Sequence, residues 1–110
     1  MTDLDHASDD PREDELSQAL ARLDAVLARV RRDAGAGHCP EHERSLAAPL
    51  RTLRALGGAD TGEIAHDLVD AARRVLEAAD PDAPLRVLEM SRRSLGAAVR
   101  RPPLSRRDAA

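Results

Sequence analysis

Residues 13–32 read EDELSQALARLDAVLARVRR, and the spacing of the apolar residues in that run decides the fold. Leu16, Leu20, Leu23, Leu27 and Val30 recur at intervals of four and three, with Val26 widening the stripe. A strand would alternate every second residue, whereas this repeat lines one face of a helix of about five turns. Glu13, Asp14 and Glu15 stand at its start and Arg29, Arg31 and Arg32 at its end, each sign where the helix dipole favours it. Gly35 and Gly37 follow as stop signals.

The same pattern recurs three times downstream. A second helix is predicted from Pro40, with Cys39 at the N-cap, through Leu46, Leu50, Leu53 and Leu56 to Gly57-Gly58. Pro49 lies inside it and lacks a backbone donor, so a kink, or a division into two shorter helices, is expected there. A third helix is expected to start at Asp60, three residues before Glu63 in capping-box spacing, with Ile64, Leu68, Ala71, Ala72, Val75 and Leu76 as its apolar face. Asp80-Pro81-Asp82 breaks the chain. Asp82 is then expected to cap a fourth helix, with Pro84 in its first turn and Leu85, Leu88, Leu95 and Val99 facing inward, before Pro102-Pro103 ends it.

Short Gly or Pro breaks place successive helices side by side, so the chain is expected to be all-α: a small four-helix up-down bundle. Its predicted organisation is an acidic disordered tail at 1–12, the bundle at 13–100 and a basic disordered tail at 101–110. With 110 residues and no aromatic side chain, the core is modest. A homodimer sharing a larger core therefore suits the sequence as well as a monomer does.

Lys, Asn, Phe and Tyr are absent and Ile occurs once, while Arg, Ala and Leu abound, the bias of a genome rich in G and C. The preference for Arg over Lys thus does not point to phosphate or carboxylate recognition. Without aromatics there are no stacking platforms for bases, which argues against a nucleic-acid partner. The acidic N-terminus and the lack of a long apolar run predict a soluble cytoplasmic protein with no membrane association.

The most concentrated run of reactive side chains is His38-Cys39-Pro40-Glu41-His42-Glu43. Imidazole and thiolate are ligands for zinc, and a helix N-terminus favours a thiolate. His38, Cys39 and His42, completed by His66 from the third helix, form a candidate zinc or thiol-sensing set, the alternative to having no cofactor. Adjacent ligands such as His38 and Cys39 rarely reach one ion, and a solvated loop with a helix cap is the simpler explanation of the run. A lone Cys excludes an intramolecular disulfide.

Two short stretches resemble known families. Ile64-Ala65-His66-Asp67-Leu68 resembles histidine phosphotransfer domains, in which a Lys-Gly pair soon follows the histidine. Here Val69 and Asp70 follow, and a carboxylate one turn from the histidine would repel a phosphoryl group. Leu56-Gly57-Gly58-Ala59-Asp60-Thr61 resembles the Gly-x-Asp-Ser turn of carrier proteins, but with Thr61 in the Ser position and Gly62 after it. Neither family is assigned. No nucleophile elbow or phosphate loop is present, so catalysis has no specific support. Arg22, Arg29, Arg51, Arg54, Glu63, Arg73 and Glu89 are of the types that bind an anionic substrate, although a solvated face is their default reading.

Charge is unevenly distributed. Residues 1–15 hold seven acids against Arg12, whereas residues 92–107 hold Arg92, Arg93, Arg100, Arg101, Arg106 and Arg107 and no acid. Those six arginines are the candidate partner-binding set, and the acidic stretch from Asp3 to Glu15 is their simplest target. The preferred reading is a small non-enzymatic interaction protein, a regulator, adaptor or assembly subunit that binds a protein partner through an apolar helix face. A metal- or thiol-dependent sensor and a small-molecule-binding bundle or enzyme are the alternatives.

Overall fold

A computed structural model describes residues 11–100. The expectations for disordered tails, apart from Pro11 and Arg12, which are helical, and those for Pro102-Pro103 and for Arg101, Arg106 and Arg107 lie outside the described residues. Within them all regular structure is helical: α1 (Pro11–Arg32), α2 (Pro40–Gly57), α3 (Ala59–Glu77) and α4 (Asp82–Arg100). The expected all-α four-helix fold is present.

Cross-helix contacts give the direction of each helix. Arg12 lies at the end of α2 and His42 at the end of α1, so α1 and α2 run antiparallel. Arg73 meets Glu43 across α2 and α3, while Arg31 meets Glu89 and Asp24 meets Arg92 across α1 and α4. Every apolar residue of the α1 stripe is buried, together with Leu46, Leu50 and Leu53 of α2. Leu68, Ala71, Ala72, Val75 and Leu76 of α3 and Leu88, Leu95 and Val99 of α4 complete the core. Leu56, Ile64 and Leu85 sit at its margin. Packing is closest between α3 and α4 and sparsest between α1 and α4, which leaves that side of the bundle open.

One local expectation is narrowed and one is corrected. Of the two forms expected at Pro49, the division into two helices does not occur: α2 runs unbroken from Pro40 to Gly57, with Pro49 buried. Packing of the helix's inner face outweighs the missing donor. Asp60 does not cap α3 either. The cap is Gly58, without a side-chain hydrogen bond, and Asp60 falls in the first turn. Two residues of register separate the expected cap, Asp60, from the observed one, Gly58, and the backbone bond from Thr61 N–H to the Gly58 carbonyl at 3.2 Å fixes the start.

The loop from Asp33 to Cys39 does more than join α1 to α2. Gly35 (φ 79°) and Gly37 (φ 112°) hold backbone conformations that L side chains rarely adopt. Their N–H groups donate to the carbonyls of Val75 at 2.9 Å and Leu76 at 2.7 Å. They thereby satisfy carbonyls that the end of α3 would otherwise leave unpaired. At the opposite end of the bundle, the Arg12 guanidinium donates to the Leu56 carbonyl at 2.9 Å and the Val99 carbonyl at 3.5 Å. Arg12, assigned from the sequence to the acidic tail, thus ties the start of α1 to the ends of α2 and α4.

Candidate functional site

The four proposed metal ligands do not meet. His42 is the second full residue of α2 after Pro40, turned inward and 8 % exposed, and its Nε2 lies 2.8 Å from Asp33 Oδ2. This contact, reinforced by the charge of Arg32, holds the Asp33 carboxyl below its ordinary 3.8. His38 Nδ1 faces Glu77 Oε2 at 3.8 Å. Cys39 occupies the N-cap of α2 as expected, but its side chain makes no capping bond and packs half-buried against the core. His66 sits on the exposed side of α3, about 15 Å along the helix from the Val75–Leu76 carbonyls where the loop docks. Among the described residues no group of three or more His, Cys, Asp or Glu side chains is arranged to hold a metal ion.

His66 instead borders a shallow cleft of about 310 Å³ between α2 and α3, beside Arg51, Arg54 and the Arg73–Glu43 pair. Of the arginines nominated for partner binding, Arg92 is already engaged inside the fold. Its Nε and Nη2 donate to the two carboxylate oxygens of Asp24 at 2.6 and 3.0 Å, clamping α4 to α1. Arg93 and Arg100 are exposed on α4.

A feature of α4 missed by the sequence reading emerges from burial. Leu88, Leu95 and Val99 turn inward, and the opposite side carries the two large exposed apolar residues among the described ones, Val87 (49 % exposed) and Met90 (61 %). They belong to a second stripe, Ala83, Val87, Met90, Ser94 and Ala97, spaced four, three, four, three along the helix and exposed throughout. The signal was present in the sequence, but the inward stripe already accounted for the helix. Heptad spacing of this kind keeps small and apolar residues on one seam, the geometry by which helices pair.

A groove flanks the stripe on each side. Toward α1 lies one of about 550 Å³, lined by Arg31, Asp82, Leu85, Arg86, Glu89, Met90 and Arg93. Arg31 and Glu89 pair across it at 3.5 Å. Toward α3 lies one of about 300 Å³, where Asp67, Asp70 and Arg74 face Pro84, Val87 and Ser91. Asp70 is paired with Arg74 at 3.2 Å. The apolar ridge therefore lies between an edge of net negative charge, Asp67 and Asp70 against Arg74, and an edge of net positive charge, Arg31, Arg86 and Arg93 against Asp82 and Glu89.

Among the described residues no helix is long and apolar enough to cross a membrane. Comparison with protein-family models, with curated proteins and with solved structures finds no match to this chain.

Proposed function

We propose that the chain is a non-enzymatic helical interaction module that receives a protein partner on the outer face of α4. The observation that carries this reading is the placement of Val87 and Met90, exposed on a helix whose inner stripe already fills the core. Isolated exposed apolar residues are common on protein surfaces, but these two share a heptad-spaced stripe between two grooves. Helix-in-groove recognition uses such a ridge, with an apolar anchor in a groove and charged residues at the rim. Met suits an anchor because its unbranched thioether adapts to the partner's surface.

A photo-activatable side chain at position 90, introduced into the full chain and irradiated in the cells that make it, tests the reading. Cross-linking to one protein species is expected at position 90 and not at an exposed control on another helix, such as Arg44 of α2. Absence of any cross-linked protein at position 90 would overturn the proposal.

A further inference from the structure

We infer that the partner on α4 is a second copy of this chain, the two α4 helices lying parallel about a two-fold axis. The inference rests on the reading of α4 as an interface and adds the identity of its occupant. Its basis is the sign of the two edges. On the α1 side of the ridge, Arg31 and Glu89 neutralise each other, leaving Arg86, Arg93 and, in the first turn of α4, Asp82 without an ion pair among the described residues, a net of one positive charge with Arg93 the charge furthest along α4 from Asp82. On the α3 side, Asp70 is held by Arg74, leaving Asp67 without one.

A two-fold axis parallel to α4 exchanges left and right while preserving height along the helix. It therefore places the basic edge of each copy against the acidic edge of the other. Asp67 shares its groove with Ser91, and Arg93 lies two residues further along α4, so Arg93 of one copy comes level with Asp67 of its mate. The contact occurs twice by symmetry, and the ridge of Val87 and Met90 packs between the two occurrences. An antiparallel pair would instead set Arg93 against Arg93 and Asp67 against Asp67. Charge complementarity selects the parallel arrangement.

Two charge reversals in the full chain test this, each at an exposed position where folding is not at stake. Sedimentation measurements over a range of concentrations should find the wild-type chain dimeric. Arg93→Glu should set a second carboxylate against Asp67, and Asp67→Arg should set a second guanidinium against Arg93. Each change makes both symmetric contacts repulsive and should weaken dimerisation about tenfold or more. An equimolar mixture of the two variants should restore association, because in the mixed dimer one of the two contacts is the original pair with its signs exchanged and the other is the wild-type pair. Circular dichroism would confirm that both variants remain helical. A wild-type chain that stays monomeric, or a dimer indifferent to both reversals, would overturn the inference. If that monomer is nevertheless cross-linked at position 90 to a different protein, such as one presenting an acidic amphipathic helix, the interaction module stands and only its occupant is wrong.

Discussion

Thr61 brings into the core a hydroxyl that is fully buried and has no hydrogen-bond partner among the described residues. Such a group costs about 1–3 kcal/mol to bury, so Thr61→Val, which keeps the shape and removes the oxygen, should raise stability by about 1 kcal/mol in urea unfolding. Its neighbour Gly57 is a matter of space: a Cβ there would stand 2.5 Å from Thr61 Oγ1 and 3.1 Å from Val99 Cγ1. Gly57→Ala should therefore destabilise by about 1–3 kcal/mol, and by less in a Thr61→Ala background that removes the nearest atom. The His42–Asp33 contact has a pH signature. Because Asp33 is depressed in the folded state, chiefly by its hydrogen bond to His42, its contribution is present above 3.8 and is lost as pH falls through the lowered value. Asp33→Asn should flatten that part of the acid limb of the stability curve. None of these residue-scale features was legible in the sequence: the capping-box spacing points to Asp60, whereas burial of Thr61 depends on a helix start two residues earlier.

The helices themselves were legible, because the period of Leu and Val in each segment reports which face is buried whatever that face packs against. Their junctions were not. Gly35 and Gly37 read as stop signals for α1, but the carbonyls they satisfy belong to α3, about 40 residues away, and no local pattern encodes that distance. Gly37→Ala isolates the backbone term, since nothing lies within 4 Å of the added carbon. It should destabilise by about 1–2 kcal/mol through the positive φ alone. On α4, a Cβ at Gly96 would stand 2.8 Å from Arg92 Nη1, so the glycine leaves room for the guanidinium that grips Asp24. Gly to Ala inside a helix is worth about 0.5–1 kcal/mol in favour of folding. That gain should appear in full when Gly96→Ala is made in an Arg92→Ala background and be offset in the wild type, where Arg92 must shift. A double-mutant cycle by chemical denaturation separates the two terms.

For the whole molecule, short connections predicted which helices would be neighbours, and the antiparallel contacts agree. The metal-ligand set failed to assemble for a related reason: sequence proximity grouped His38, Cys39 and His42, but the fold turns each toward a different neighbour. The outer stripe of α4 is hard to read from the sequence because two seams overlap on one helix, and the inward one alone accounts for its amphipathic pattern. Arg12 joins three helices at one end of the bundle. Arg12→Ala would release the Leu56 and Val99 carbonyls from their shared donor, so hydrogen exchange should quicken in the last turns of α2 and α4 while the middle of the core is unaffected.

That single side chain, touching the last turn of the last helix, also bears on how the chain can be rewired. The start of α1 and the end of α4 lie close enough for a linker of about six residues, roughly 20 Å when extended, to join them into a circle. Reopened between Ala79 and Asp80, where the backbone is exposed, the circular permutant should fold with its helices in place. Reopened between Ala36 and Gly37 it should not fold as well, because those new termini would fray the amides that finish a helix elsewhere in the molecule. The two loops look alike in sequence, each a short polar break between helices, yet only one of them is merely a connection.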